Sequence, residues 1–221
     1  MSNIKDVITD EVALSEWCTE IDTRKDGKLM QEIILALKNT MKEKNLISLA
    51  APQIGYDKRI FCIRFGDKDY RTFINPAIEN NMNVTMSREK CSSIPGKEFI
   101  LPRFNKIKFW FTTPMSKVES GTLVGRAAHV FQHALEHLNG ALISDIGLEI
   151  DELFDQATEE EREEVLKMYA ESLDLRLKQL NEEISNDKEL KEIDDAIKFI
   201  NSVKDGSTVL EKVETKKEKD N

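Results

Sequence analysis

The chain has 221 residues, of which 40% are hydrophobic and 33% are charged, and its formal net charge is −9. This length fits one domain with an appendage, or at most two small domains, and the apolar share is enough to build a core. No apolar run approaches the ~20 residues that a membrane-spanning helix needs, and residues 1–6 lack the pattern of a signal or transit peptide. We therefore expect a cytoplasmic protein without a membrane span.

The cysteine count and the distribution of charge indicate the cellular compartment and the kind of partner to expect. The three cysteines, an odd number, do not make a disulfide framework, which favours a reducing compartment. Residues 149–221 carry a net charge of −11, whereas residues 1–148 carry +2. Because nucleic-acid backbones bind basic surfaces, we do not expect the acidic segment to bind nucleic acid directly. It is either a solvated helical face or a docking surface for a basic partner.

The hydrophobic periodicity predicts an α+β fold. Apolar residues at helical spacing predict an amphipathic helix over residues 27–45. Short β-type runs separated by Pro and Gly predict a small antiparallel or mixed sheet over residues 46–115. A second helix is predicted over residues 121–138. Thr158 and Glu161 have the spacing of a capping box, which predicts the start of a third helix over 158–185.

A further amphipathic helix is predicted after residues 186–187. The helix has an apolar stripe that must pack against another surface. The stripe consists of Leu190, Ile193, Ile197 and Ile200. The helix either folds back on the preceding helix as a hairpin or pairs with another chain or protein partner. Residues 211–221 are charged and are expected to fray.

The helix over 121–138 carries the spacing of a metal site. His133 and His137 lie about 40° apart around a helix, so both imidazoles can face one metal ion. In an H-E-x-x-H helix, the glutamate after the first histidine takes a proton from the water that the metal activates. Ala134 occupies that position, and a methyl group cannot accept a proton. The pattern predicts a metal site that lacks the usual general base.

Two further residues on this helix, Glu136 and His129, are not expected to replace the missing base or to add a third histidine ligand. Glu136 and Ala134 flank the direction of the metal on opposite sides, about 160° apart, so Glu136 is not expected to act as the base. His129 lies ~12 Å from His137 along the helix axis, which is too far for both to bind one ion. We expect His129 in a pocket wall or in the core.

Three segments in this order resemble the motifs of peptide deformylases. They are residues 48–55 (S-L-A-A-P-Q-I-G), 89–96 (E-K-C-S-S-I-P-G) and 132–140 (Q-H-A-L-E-H-L-N-G). The similarity runs roughly from residue 5 to residue 180. It implies a deformylase-like fold, with small antiparallel or mixed sheets around a central metal-binding helix. Residues 1–180 would form this domain, and residues 181–221 would be an acidic helical extension with a frayed tail.

The resemblance also implies roles for individual residues. Cys91, His133 and His137 would hold one divalent metal ion, with iron expected and zinc, nickel or cobalt able to replace it. Gln53 and the backbone N–H of Ser92 would bind the oxyanion. Glu136 would hold a ligand or a nearby arginine such as Arg103.

The implied substrate pocket differs in chemistry from that of the family. Deformylases line their methionine pocket with apolar residues in the turn before the first histidine, and the matching residues here are Arg126, His129 and Val130. Ser48, Leu49 and Lys90 are placed around the same cleft. Lys90 stands where the family has glycine, and its charge would favour a thiolate at Cys91.

Two hypotheses of function follow. The first is a binding protein with a deformylase fold and little or no activity, with a nascent formylated peptide or the ribosome as its partner. The second is an active deformylase that removes the formyl group from N-terminal formylmethionine, in which Ala134 is an engineered replacement of glutamate.

Overall fold

The computed structural model describes residues 3–183, and these residues fall into two compact units divided between residues 147 and 148. The first unit contains four α-helices and five strands among its described residues. In chain order these are α1 (Glu11–Leu14), α2 (Gly27–Glu43), β1 (Ser48–Ala50), β2 (Ile60–Arg64), β3 (Tyr70–Cys91), β4 (Ile94–Thr112), β5 (Val118–Val124), α3 (Arg126–Leu138) and α4 (Ile143–Ile146). A single 3-10 turn, Ala51–Ile54, follows β1.

The five strands form an antiparallel sheet in the order β1-β2-β3-β4-β5. The α+β class predicted from the sequence is confirmed, and within this unit the sheet is antiparallel rather than mixed. Strands β3 and β4 form one long hairpin whose turn is so tight that Cys91 pairs with Ile94. This register places a cysteine at the end of the hairpin.

Helix α2 matches its prediction to within two residues. Its inward face carries apolar side chains at helical spacing, and Met30, Ile33, Leu37 and Met41 are all buried. They form one core cluster with residues of β1 and β2, among them Leu49 and Cys62. Burial of this face is what stabilises the helix.

Helix α3 begins at Arg126, so the predicted start at residue 121 was wrong. Residues Val118–Val124 form strand β5 instead, because they pair along their whole length with β4. Gly125 separates strand and helix with φ 61° and ψ −141°, a conformation that other residues rarely adopt. The back of α3 is fixed by Phe131, whose ring packs against those of Phe61, Phe73 and Phe109.

The second unit contains a short strand β6 (Leu148–Ile150) and two helices, α5 (Glu152–Gln156) and α6 (Glu159–Glu183). The predicted capping box is confirmed: Glu161 N–H donates to Thr158 Oγ1 at 3.2 Å, and Thr158 N–H donates to the Glu161 carboxylate at 2.7 Å. The helix predicted after residue 187 lies outside the described residues. Among residues 3–183, no helix combines the length and hydropathy needed to cross a membrane.

Candidate metal centre

Helix α3 holds two imidazoles on one face. His133 and His137 are one turn apart, with ring centroids 5.0 Å from each other. Phe131 anchors the opposite face in the aromatic cluster, and Arg59 donates hydrogen bonds to Leu138 O and Asn139 Oδ1 at the carboxyl end of the helix. A cation at this end also complements the helix dipole. The helix is therefore fixed at its back and at its end.

The β3–β4 hairpin supplies the third donor. Glu89 and Cys91 of β3 both approach helix α3, Glu89 at His133 and Cys91 at His137. Cys91 is buried, and its Sγ lies 3.3 Å from Nε2 of His137. One donor atom each from Cys91, His133 and His137 lies within 4.8 Å of the others.

This donor set fits a divalent transition metal. One thiolate and two imidazoles are suitable ligands for such an ion, and three protein ligands leave a coordination position open. Burial, followed by the charges of His133 and Arg103, lowers the pKa of His137 well below its usual value, so His137 is neutral and able to bind a metal. His137 Nδ1 is buried and has no hydrogen-bond partner among the described residues.

A charged network orients His133 and surrounds the donors. Glu89 Oε2 lies 3.1 Å from His133 Nδ1, so the imidazole donates this proton and keeps Nε2 for a metal. The buried guanidinium of Arg103 donates two hydrogen bonds to Glu89, at 2.8 and 2.9 Å. It also donates two to Glu136, one of them at 2.8 Å.

The network fixes the charges of its members. Burial would raise the pKa of the Glu89 carboxyl, but the hydrogen bonds from His133 and Arg103 outweigh burial and hold this pKa well below its usual range. Burial would lower the pKa of Arg103, but Glu136 and Glu89 raise it above its ordinary value. Burial would also lower the pKa of His133, whereas Cys91 and Glu89 raise it to about 9.

The 3-10 turn after β1 places Gln53 beside the donors. Gln53 is buried, and its Oε1 accepts a hydrogen bond from Ala50 N–H at 2.9 Å. The amide nitrogen therefore points toward the hairpin. It lies 3.0 Å from Ser93 Oγ, 3.4 Å from Ser92 Oγ and 3.8 Å from Cys91 Sγ. The structure thus brings Gln53 and Ser92 together with the metal donors.

Ala134 lies at the position where the H-E-x-x-H pattern has its base. It is only 1% exposed and belongs to a core cluster with Phe61, Ile63 and Phe131. The carboxylate of Glu89 lies beside His133, and the carboxylates of Glu89 and Glu136 both bind Arg103.

The structure separates the six residues assigned to the substrate pocket. Arg126 and Val130 line an open cleft of about 550 Å³. Ser48 and His129 are half-buried and are not among the residues that line it, and His129 Nε2 lies 3.4 Å from Thr85 Oγ1. Two residues point elsewhere: Leu49 is fully buried in the α2 core, and the exposed side chain of Lys90 lies with its Nζ 3.7 Å from Glu98.

Glu89 and Gln132 both stand in the motifs, but neither was predicted to have a role in the site. Gln132 holds α3 to β4, because its amide donates to Phe104 O at 2.8 Å and accepts from Phe104 N–H at 3.0 Å. A signal for Glu89 was present, since it stands two positions before the ligand cysteine in the same motif. Nothing local indicates the long-range partner of Gln132.

A thiol from the hairpin, two imidazoles from α3 and a glutamine amide from the 3-10 turn define a candidate metallohydrolase centre. The model of the polypeptide deformylase family matches residues 4–150. The chain belongs to this family. Deformylases are metalloenzymes, and this chain carries the corresponding candidate metal-binding group.

Individual deformylases are similar over most of their own length. Peptide deformylase 1 of Clostridium perfringens is 32% identical over 137 residues, which cover 62% of this chain and 92% of the relative. The solved deformylase of Thermotoga maritima is 30% identical with a TM-score of 0.58, covering 64% of this chain and 94% of that one. The class I type b deformylase of Acinetobacter baumannii, solved with Met-Ala-Ser bound, has a TM-score of 0.61 and 23% identity, covering 66% and 99%. At that identity the likeness shows the fold alone.

Proposed function

We propose that this protein holds one divalent metal ion and binds N-formylmethionyl peptides, but hydrolyses them far more slowly than a deformylase with a carboxylate after the first histidine. Cys91, His133 and His137 hold the metal, which is iron by family, with zinc, nickel or cobalt able to replace it. A metal ion held there would polarise the formyl group as a Lewis acid and would activate a water.

The observation that carries the proposal is that neither Ala134 nor the carboxylates of Glu89 and Glu136 can serve as a free base. Ala134 offers no proton acceptor, and it is buried in the apolar core. Glu89 and Glu136 are each engaged by Arg103, and Glu89 also accepts a hydrogen bond from His133. A carboxylate whose pKa is held far below its usual range is a poor general base.

The retained groups support binding rather than proton transfer. The amide nitrogen of Gln53 points at the hairpin turn beside Cys91. There this amide can donate a hydrogen bond to the formyl oxygen, in place of its hydrogen bonds to the hydroxyls of Ser92 and Ser93. The backbone N–H of Ser92 is the second donor in this proposal. Glu89 keeps His133 oriented, and Arg103 keeps Glu89 in place.

The second candidate is an active deformylase in which alanine replaces glutamate by engineering. The candidate ligands and Gln53 favour it, because the three donor side chains and this amide lie together. Under this hypothesis, Ala134→Glu restores an ordinary deformylase rate. Under the first hypothesis, the natural pocket has changed as well, at Arg126 and Lys90.

The test is a comparison of binding and turnover with formyl-Met-Ala-Ser. Calorimetric titration of the metal-loaded protein should show saturable binding that is lost when the metal is removed. Release of formate should be at least about 10²-fold slower than from a deformylase that has the glutamate. Metal-independent binding, or no binding, would contradict the proposal.

A further inference from the structure

Strand β5 (Val118–Val124) forms one edge of the antiparallel sheet. Its neighbour among the described strands is β4, and the two pair along the whole length of β5 without a register shift. Glu119 is the single charged residue of the strand. Lysine and proline, which usually keep an exposed edge from pairing with another chain, do not occur in it.

The pairing with β4 shows which backbone groups of β5 face the free edge. At the two ends of the strand, Thr113 N–H donates to Lys117 O and Gly125 N–H donates to Asn105 O, both at 2.7 Å. Hydrogen bonds to one neighbour alternate along an antiparallel strand, so the odd-numbered residues from 117 to 125 bond to β4. The residues between them point their N–H and C=O groups at the free edge, and these are Val118, Ser120, Thr122 and Val124.

The side chains of these four residues lie together on the exposed face of the strand. Val118 and Val124 are 71% and 57% exposed, although they are large hydrophobic residues. Ser120 and Thr122 are also exposed, and none of the four is charged. A strand that pairs with this edge must therefore bring an uncharged face, with apolar side chains opposite the two valines.

The sequence of β5 is nearly symmetric about Gly121 and meets this requirement itself. A two-fold axis at Gly121 would pair two antiparallel copies of the strand. Val118 of each copy would then lie opposite Val124 of the other. Ser120 would likewise lie opposite Thr122, a favourable pair of hydroxyl side chains. Every residue with a free backbone N–H and C=O then belongs to a hydrogen-bonded pair, which gives about eight hydrogen bonds in total.

The charges of the strand are compatible with this pairing. Glu119 of each copy would lie opposite Leu123 of the other, so the two Glu119 side chains would be about 13 Å apart along the strands. Gly121 would lie at the axis, where two directly opposed residues approach most closely, and it brings no side chain there. The symmetric register therefore places no like charges opposite each other within β5.

We propose that strand β5 is an edge for self-association, through which two copies of this chain form a two-fold symmetric dimer with one continuous sheet. The partner is a second copy, because the strand itself supplies the uncharged face and the matching backbone groups that its free edge requires. The inference does not depend on the proposed function, since β5 carries none of the candidate metal donors.

Sedimentation velocity of the full chain tests this inference. The weight-average sedimentation coefficient should rise as the protein concentration is raised from about 1 to about 500 µM, because dimerisation follows mass action. Val118→Lys combined with Val124→Lys should weaken self-association at least about tenfold, because two pairs of like charges then lie opposite each other. The corresponding double glutamate variant should be weakened in the same way. An equimolar mixture of the two double variants should associate again, because each lysine then faces a glutamate.

Val12→Lys is the matched control, because Val12 is 79% exposed on α1 and lies outside the sheet. It should associate as tightly as the unmodified protein. Circular dichroism checks that each variant is folded. If a double variant does not fold, Ser120→Pro tests the same edge, because it removes an outward N–H without removing a bond to β4, and it should also weaken association.

Three results would overturn the inference. The first is an unmodified chain that stays monomeric at the highest concentration, which would leave the edge to a partner of another kind. The second is a folded lysine or glutamate variant that dimerises as tightly as the unmodified protein, because the contact would then lie elsewhere. The third is a mixture of the two folded double variants that stays monomeric, which would contradict the symmetric register.

Discussion

Cys91 supplies the only sulfur ligand in the proposed centre, and its contribution can be measured directly. Its Sγ lies 3.3 Å from His137 Nε2, close enough for both atoms to bind one ion. Cys91→Ser should weaken cobalt or zinc binding by at least about tenfold, because a neutral hydroxyl is a poor ligand for these ions. A cobalt titration followed by its thiolate absorption band measures this loss. Cys18→Ser is the control, and unchanged metal affinity in Cys91→Ser would contradict the assignment.

His133 gives the metal-free protein a defined pH dependence. Its contacts with Cys91 and Glu89 outweigh burial and raise its pKa from 6.5 to about 9. A raised pKa means that protonated His133 stabilises the fold fully below pH 6.5, and that this stabilisation is lost as the pH rises to about 9. The melting temperature of metal-free protein should therefore fall between pH 6.5 and 9. This fall in melting temperature should be absent in His133→Gln. The metal affinity of the unmodified protein should increase with pH, because the metal competes with the proton for His133.

Arg103 links helix α3 to the β3–β4 hairpin through two carboxylates. The guanidinium is 2% exposed, and its partners Glu89 and Glu136 are 11% and 23% exposed. Removing it leaves two poorly solvated negative charges without their cation, which costs about 3 kcal/mol of unfolding free energy. Urea denaturation of Arg103→Gln should show this loss.

An exposed ion pair provides the control for Arg103. Lys108 and Glu79 are about half exposed, with Nζ 3.0 Å from the carboxylate. Lys108→Gln should change the unfolding free energy by less than about 1 kcal/mol. If Arg103→Gln is no more destabilising than this control, the network does not hold the helix to the hairpin.

Elements with a local signal were predictable, and those set by long-range pairing were not. Helix α2 has an apolar stripe of its own, and the start of α6 has its capping box, so both were placed correctly. Residues 121–124 of strand β5 were taken for the start of the metal helix, because the alternation of this strand is weak and its identity comes from pairing with β4. The pairing of β5 with β4 cannot be predicted from the hydrophobic periodicity of the sequence.

The same distinction applies to the candidate site. The ligand residues could be proposed because His133 and His137 have a helical spacing and Cys91 stands in an ordered motif. The closure of Glu89, Arg103 and Glu136 into one network depends on the β3–β4 register and on how α3 crosses it. The inward burial of Leu49 and the outward position of Lys90 likewise follow from strand geometry in the folded sheet.

At the scale of the whole molecule, the division between deformylase domain and extension remains a prediction. Met168 and Leu175 of α6 are 64% and 61% exposed, and an apolar stripe is predicted in the sequence that follows. Truncation after Ser185 should therefore lower the melting temperature or break an oligomer. Truncation after Asp205 is the matched control, since residues 206–221 have few apolar side chains. If the protein truncated after Ser185 has the same melting temperature and the same oligomeric size as the full chain, the removed segment contacts another molecule instead.

We propose above all that this chain keeps a metal centre and lacks the general base that rapid hydrolysis needs. The most direct measurement is formate release from formyl-Met-Ala-Ser by the metal-loaded protein, beside a characterised deformylase and Ala134→Glu at equal metal content. We predict that the unmodified protein is slower than the deformylase by at least about 10²-fold. Ala134→Glu should gain activity if the buried site beside Phe131 accommodates the carboxylate. An unmodified protein that releases formate as fast as the deformylase would contradict the account.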